Sequence, residues 1–292
     1  TFPRGSADSE PPPAFSIDTI PMPSLPIPTQ RRFIDRHGVR LHVVEAGPTD
    51  GDPVVLLHGF PEFWYGWRHQ IPALAEAGYR VVVPDQRGYN QSDTPSSVAA
   101  YDLDRLVGDV QAVLDACSAD RAHIVGHDWG AVVAWALAAW HPERVRRLAI
   151  LNVPHPAVFQ KTLASSLDQL RRSWYILFFQ LPRLPEWVLS RNDFGGLARM
   201  LRSSSRAGTF SDDDLAAYRH AWRRPGRLRA MIHWYRAAAR RALFGGRPIG
   251  RIEAAARERD LDRLSRLWAE AGRNVVDNAA VIVAYAHALQ RS

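Results

Sequence analysis

The sequence predicts an α/β fold with a mostly parallel, doubly wound sheet and an inserted helical cap. Its first half alternates short apolar runs with longer stretches of helical periodicity, and each apolar run ends in a polar or glycine-containing turn. Parallel strands covered by helices on both faces read as continuous apolar runs, so this alternation favours a parallel sheet. The chain has 292 residues, 46% of them hydrophobic, which is enough for one large core with an insertion.

The composition excludes several classes of protein. Lysine and arginine total 37 against 30 acidic residues, a net charge of +7, yet the arginines are spread along the chain and Lys161 is the only lysine. That distribution lacks the clustered basic and aromatic pattern of a nucleic-acid module, so we expect no nucleic-acid partner. The longest apolar run, residues 131–140, is too short to span a bilayer. The single cysteine, Cys117, permits no internal disulfide and fits a reducing, cytoplasmic location.

The first element in chain order is a proline-rich arm over residues 1–30, whose prolines fix backbone torsions and remove amide donors. Residues 31–155 are predicted as a core of strands and helices. Residues 40–45 alternate as a strand does. Four apolar runs are predicted as buried strands, at 54–57, 81–83, 123–126 and 148–151. Residues 103–116 and 131–140 are predicted as helices.

The chain changes character after residue 155. Residues 156–245 are rich in arginine and tryptophan and are broken by prolines and glycine pairs, which predicts an inserted helical cap. Residues 246–292 are predicted as an atypical remainder of the core, with an amphipathic helix at 252–268 and a short strand at 279–285.

The segment from Gly126 to Gly130 reads Gly-His-Asp-Trp-Gly at the junction of a predicted strand and a predicted helix. Small residues two before and two after a polar residue permit a sharp turn that raises the central side chain above the sheet, which is the geometry of a nucleophile elbow. The central residue here is Asp128, and a carboxylate can attack an sp3 carbon to form an alkyl ester that water then cleaves. The alternative interpretation is that Asp128 only caps the following helix.

With this elbow, the chain resembles the α/β-hydrolase superfamily, and within it the epoxide hydrolases and their haloalkane dehalogenase relatives. The sequence His-Gly-Phe-Pro from His58 to Pro61 matches the HGxP loop of the family. The resemblance implies that the backbone amides of Phe60 and Trp129 form an oxyanion hole. It also implies that His58, Pro61 and Trp129 border the substrate pocket.

The resemblance further implies which residues hold the substrate oxygen. Epoxide hydrolases use two cap tyrosines, and the matching positions are Tyr175, four residues before a Phe-Gln pair, and Tyr235 in His-Trp-Tyr-Arg. A phenol of high pKa can donate a proton to the opening alkoxide at neutral pH. We therefore expect an epoxide hydrolase that acts on a small apolar epoxide and water, with no cofactor and no metal.

Two alternative interpretations of these residues stay open at this point. A haloalkane dehalogenase would share Asp128 but would hold halide with NH donors, and Phe60 stands where many dehalogenases carry asparagine. The alternative interpretation of Tyr175 and Tyr235 is ordinary aromatic packing inside a cap, which the family context of both residues disfavours. A dehalogenase would not need the two tyrosines, which makes them the residues to test.

The C-terminal part departs from the pattern of the family. The family activates water with a histidine oriented by an acid, and its usual acid and histidine loops are absent here. The remaining candidates are Asp260 and His287, whereas Asn152, at the other position where relatives place the acid, has no carboxylate. A non-catalytic or turnover-impaired homologue is therefore a further alternative. We also expect this loss to expose apolar surface near residues 148–151 and to favour a homo-oligomer.

Overall fold

The structure is a computed structural model that describes residues 24–155 and 173–249 and the backbone of residues 281–284. The elements in chain order are β1 (Thr29–Arg36), β2 (Val39–Ala46), β3 (Pro53–Leu57), α1 (Gln70–Glu76), β4 (Arg80–Pro84), α2 (Leu103–Ala116), β5 (Ala122–His127), α3 (Trp129–Trp140), β6 (Val145–Leu151), α4 (Trp174–Phe178), α5 (Leu184–Ser203), α6 (Asp212–Arg223), α7 (Arg227–Phe244) and β7 (Val281–Ala284). The strands and helices predicted between residues 40 and 151 each fall within an observed element, so those predictions are confirmed.

Within the described residues, the strands form one sheet in the order β1-β2-β4-β3-β5-β6-β7. The central strands β4, β3, β5 and β6 run parallel. The edges are antiparallel, because β1 pairs with β2, β2 with β4, and β7 with β6. The predicted mostly parallel α/β sheet is thus confirmed. β1 begins at Thr29, one residue before the end of the arm that the prolines predict.

The apolar runs form the core because helices cover both faces of the sheet. α3 is apolar on nearly all sides, and it packs on β3, β5, β6 and α2. The exposure that we expect near residues 148–151 is wrong. Leu148 and Ile150 are fully buried. Helix α3 packs on β6, and β7 pairs with β6 along residues 148–151.

The helical segment from residue 173 to 249 packs on the loops that follow β3 and β4. The indole of Trp222 in α6 donates to the carbonyl of Pro61 at 2.6 Å, and the indole of Trp234 in α7 donates to the carbonyl of Arg87 at 3.0 Å. α6 begins with a capping box formed by Ser211 and Asp214. These contacts place α6 and α7 above the carboxyl ends of the central strands. The helix predicted at 252–268 lies outside the described residues.

Candidate active site

The turn between β5 and α3 holds Asp128 with φ 50° and ψ −121°, a strained backbone conformation for a residue that carries a side chain. Neighbouring glycines make the turn possible. A Cβ at Gly130 would lie 2.2 Å from the carbonyl oxygen of Leu57, and one at Gly126 would lie 2.5 Å from the carbonyl oxygen of Gly130. Because real Cβ atoms do not approach backbone so closely, the small residues of the sequence pattern are a steric requirement of this turn.

Two backbone amides hold the Asp128 carboxylate. The amide of Phe60, in the loop after β3, donates to Oδ1 at 2.8 Å. The amide of Trp129, at the start of α3, donates to the same carboxylate. A Cβ at Gly59 would lie 2.3 Å from the Asp128 Cβ, so only a glycine fits where the loop after β3 passes the elbow. The peptide bond between Phe60 and Pro61 is cis. Both predicted oxyanion-hole amides therefore contact the candidate nucleophile.

A histidine and a glutamate form a hydrogen-bonded pair beside the carboxylate. His127 Nδ1 is 3.3 Å from Glu62 Oε2, and the Tyr218 hydroxyl of α6 donates to Glu62 Oε1 at 3.0 Å. Although burial opposes both shifts, this hydrogen-bonded pair raises the pKa of His127 and lowers the pKa of Glu62. Burial raises the pKa of Asp128, while the His127 charge and the two amides oppose that rise. A cationic His127 thus favours the ionised, nucleophilic form of Asp128.

The structure brings Tyr175 of α4 and Tyr235 of α7 together, with ring centroids 5.9 Å apart. Tyr235 is 5% exposed and Tyr175 is 38% exposed. Burial, and then the charge of Asp128, raises the pKa of each phenol, so both stay protonated at neutral pH. The Trp129 side chain opposes this rise in the pKa of Tyr235. Two protonated phenols therefore lie within electrostatic range of the candidate nucleophile.

Aromatic rings from the cap and from the core pack around the Tyr235 ring. The Tyr235 ring lies 4.7 Å from Phe179, 5.4 Å from Phe60 and 5.0 Å from Trp129, measured between centroids. Gln180 of the cap donates to the Tyr235 carbonyl at 3.3 Å. The rings that pack around Tyr235 are apolar, which suits an uncharged substrate.

His58, predicted to border the pocket, has both ring nitrogens engaged. Nδ1 contacts the Gly59 carbonyl at 3.1 Å and Nε2 accepts from the Gln86 amide at 3.0 Å. Burial lowers the pKa of His58, so the ring is neutral, with one nitrogen donating and the other accepting. His58 therefore joins the loops after β3 and β4. Pro61 joins the loop after β3 to the cap, because its carbonyl accepts a hydrogen bond from Trp222 of α6.

The acid and histidine candidates of the C-terminal part cannot be placed relative to this cluster, and Asn152 contacts it. Asp260 and His287 lie outside the described residues. Asn152, at the end of β6, has φ 63° and its amide is 3.4 Å from His127 Nε2. Sequence reasoning missed Glu62 and Tyr218, although a carboxylate directly after the HGxP loop was a visible signal for the first.

Comparisons with known proteins agree with this geometry. A family profile described as alpha/beta hydrolase fold matches residues 52–235. The AB hydrolase superfamily protein YfhM of Bacillus subtilis is 44% identical over 212 residues, which are 73% of this chain and 74% of that protein. Epoxide hydrolase 4 of Mus musculus is 41% identical over 204 residues, 68% of this chain but only 56% of that protein. The alignment thus spans little more than half the length of this curated epoxide hydrolase.

Solved structures give the same result. The crystal structure of a Bacillus megaterium epoxide hydrolase in complex with an inhibitor superposes with a TM-score of 0.66 at 34% identity, and the match covers 70% of this chain and 71% of that one. Among the described residues, no helix is both long and apolar enough to cross a membrane, and no three His, Cys, Asp or Glu side chains cluster as metal ligands would. On its elbow, its sheet and these similarities, the chain belongs to the α/β-hydrolase superfamily and, within it, to the epoxide hydrolase family.

Proposed function

We propose that this chain is an epoxide hydrolase that converts an apolar epoxide and water into a vicinal diol through an ester on Asp128. The observation that carries the proposal is the placement of two protonated phenols, Tyr175 and Tyr235, near a buried carboxylate that two backbone amides hold. A carboxylate nucleophile suits attack on an sp3 carbon, and phenol donors suit an oxygen that becomes an alkoxide. The activity named for the mouse and Bacillus megaterium relatives supports the same assignment.

In the first step, Asp128 Oδ2 attacks a ring carbon of the epoxide, because Oδ1 is already bound by the Phe60 amide. The bond from that carbon to the ring oxygen breaks, and its electron pair moves to the oxygen. Tyr175 or Tyr235 transfers a proton to this alkoxide. The products are a hydroxyalkyl ester of Asp128 and a phenolate, which the second tyrosine and the Trp129 side chain stabilise.

In the second step, His287, oriented by Asp260, removes a proton from water, which attacks the ester carbonyl carbon. The amides of Phe60 and Trp129 stabilise the tetrahedral oxyanion. As this intermediate collapses, protonated His287 gives its proton to the leaving alkoxide and the diol departs. The proton of the resulting carboxylic acid returns to the phenolate. The roles of Asp260 and His287 rest on the sequence alone.

The test is single-turnover mass spectrometry with styrene oxide in water labelled with oxygen-18. We expect the peptide that contains Asp128 to gain the mass of the intact epoxide, and the label to enter the enzyme carboxylate rather than the first diol. Asp128→Asn removes the adduct, whereas the control Asp115→Asn, an exposed carboxylate on α2, leaves it unchanged. Diol formation without any adduct on this peptide would contradict the ester mechanism.

The same experiment separates full turnover from a half reaction. If His287 activates water, His287→Gln accumulates the adduct and stops diol release. If the parent chain itself accumulates the adduct and releases no diol, the turnover-impaired alternative is correct and the ester step alone survives.

The haloalkane dehalogenase alternative needs NH donors free to bind halide. The Trp129 ring packs edge-on against Tyr235, with centroids 5.0 Å apart, and Phe60 offers no side-chain donor. These contacts favour the epoxide, whose oxygen needs the phenols.

A further inference from the structure

The outer surface of the cap carries a row of exposed apolar side chains close to the active site. Leu177 is 68% exposed, Trp174 62% and Trp187 57%. We define the cap rim as the six large apolar residues that are exposed between the start of α4 and the first turns of α5: Trp174, Leu177, Leu181, Leu184, Trp187 and Val188. Exposed apolar side chains concentrated in one short stretch mark an interaction surface, whereas scattered ones do not.

Two backbone carbonyls and one carboxylate of the same stretch bind an arginine of α7. Arg236 of α7, whose side chain is only 13% exposed, donates to the carbonyls of Phe179 at 3.0 Å and Leu181 at 2.7 Å, and it contacts Glu186 Oε1 at 2.7 Å. Phe179 and Pro185 are buried. The segment is therefore anchored to α7 by its buried side chains and by Glu186, while the six rim side chains remain exposed on the outside.

The exposed charged groups of this stretch and of the rest of α5 are cationic, apart from Asp193, which is ion-paired. Arg183, Arg191 and Arg199 are exposed. The Arg191 guanidinium lies over the Trp187 ring at 4.6 Å, so a cation and a rim aromatic form one unit.

The acidic groups of the same stretch are already engaged. Glu186 binds Arg236, and Asp193 binds Arg219 and Arg223 of α6. A partner that meets the rim thus meets apolar side chains fringed by arginine.

We propose that the cap rim docks on an anionic lipid surface. Tryptophan and leucine side chains enter the boundary between headgroups and acyl chains, and arginine binds lipid phosphate, which is how interfacial proteins bind such surfaces. Tyr175 lies on α4 between two rim residues, Trp174 and Leu177, so the docked face adjoins the site. If the proposed function holds, docking would place the site beside a lipid phase in which apolar epoxides concentrate. Lipid binding itself does not require turnover.

The test is co-sedimentation of the full chain with vesicles of phosphatidylcholine alone or with 30% phosphatidylglycerol, in low and in high salt. We expect binding to the anionic vesicles at low salt, a fall of at least fivefold with phosphatidylcholine alone, and a similar fall in high salt. No binding of the parent chain to anionic vesicles would overturn the proposal.

Two pairs of variants locate the contact. Leu177→Asp with Trp187→Asp should reduce binding at least tenfold, whereas Phe33→Asp, which alters an exposed aromatic on edge strand β1, should leave it unchanged. Arg183→Gln with Arg191→Gln should reduce binding several-fold. The matched control, Arg105→Gln with Arg121→Gln, removes two exposed charges from the α/β part of the chain and should leave binding unchanged. Equal losses in the core controls would overturn the assignment to the rim.

Thermal melts of each variant establish that the chain is folded, and epoxide turnover in detergent-free buffer is measured in parallel. Because vesicle binding is read without substrate, failure of the proposed activity and failure of lipid docking are distinguishable. A dimer that dissociates in Leu177→Asp with Trp187→Asp, with no vesicle binding by the parent, identifies a second copy as the occupant of the rim and overturns the proposal.

Discussion

The two halves of the candidate site are held by different means. On the core side, Asp128, Phe60 and Trp129 are fixed through their own backbone, by a strained turn and two amides. On the cap side, Tyr175 and Tyr235 are placed by ring packing at centroid distances between 4.7 and 5.9 Å. Backbone geometry tolerates almost no change, whereas packed side chains can shift and adapt. Under the proposed function, we therefore infer that the core half sets the chemistry and that the cap half sets where the substrate oxygen is held.

The cap half is itself uneven. Tyr235 lies in the middle of the long helix α7 and is almost fully buried, whereas Tyr175 lies on the five-residue helix α4 and is partly exposed. We infer that Tyr235 is the better fixed donor and that Tyr175 moves more easily as substrate enters.

The largest expected effect tests this unevenness. Replacing both tyrosines, Tyr175→Phe with Tyr235→Phe, should lower kcat/KM for styrene oxide by about 10³-fold, because a general acid contributes that order of rate. Tyr235→Phe alone should account for more of the loss than Tyr175→Phe alone. The measurement is steady-state kinetics with adduct formation followed in parallel.

A matched control keeps the comparison specific to the phenols. Tyr79→Phe changes a tyrosine that contacts His123 in the core and should leave kcat/KM unchanged. Retained turnover in the double variant, with halide released from a haloalkane, would favour the dehalogenase alternative instead.

The next effect tests how rigid the core half is. Gly130→Ala places a Cβ 2.2 Å from the Leu57 carbonyl oxygen, so the loop or α3 must move. We expect a loss of about 3 kcal/mol in the free energy of unfolding, as for overpacking of a tight core, together with loss of adduct formation. Gly196→Ala in α5 is the control, since no atom lies within 4 Å of its Cβ position. Urea unfolding of both variants measures this loss, and equal unfolding free energies would contradict the rigidity of the core half.

A smaller effect tests how the cap half is anchored. Arg236→Met removes the donor to the Phe179 and Leu181 carbonyls and leaves Glu186 without its cation. We expect a loss of about 2 kcal/mol, from a partly buried carboxylate left without its cation and from the partly buried Phe179 carbonyl left without its donor. The control Arg183→Met, at an exposed arginine of the same stretch, should change stability by less than about 0.5 kcal/mol. A destabilisation no larger than that of the control would contradict the anchoring role.

The smallest effect joins the two halves through the Glu62 pair. The raised pKa of His127 gives stability that is complete below its unfolded pKa of about 6.5 and is lost as pH rises through the folded pKa. The lowered pKa of Glu62 gives stability that is present above its unfolded pKa of 4.5 and is lost as pH falls through the folded pKa. Glu62→Gln should therefore cost about 1 kcal/mol, most between pH 4.5 and 6.5.

Unfolding free energies measured from pH 4 to 9 check this window. Glu143→Gln is the matched control, because Glu143 pairs with His141 at the same 3.3 Å but is 62% exposed, and it should cost less than about 0.5 kcal/mol at every pH. A pH-independent difference between the parent chain and Glu62→Gln would mean that the pair does not titrate with folding.

Much of the core half could be predicted from the chain alone. The apolar run from His123 to Gly126 and the two glycines around Asp128 are local signals, because strand, turn and helix here depend on neighbouring residues. The tyrosines required the resemblance to a family, since a lone tyrosine has no local signature of its role. Glu62 was visible but not interpretable, because its partners His127 and Tyr218 come from distant parts of the sequence.

The sequence by itself determined the alternation of strands and helices, the elbow and the identity of its central carboxylate, because hydrophobic periodicity and steric limits act over a few residues. Only the tertiary structure decided which groups meet that carboxylate. The pairing of antiparallel β7 with β6, the packing of Tyr175 against Tyr235 and the bond from Arg236 to the Leu181 carbonyl all join residues far apart in sequence. Such contacts arise from the packing of whole elements, which burial of apolar surface drives and which no local pattern encodes.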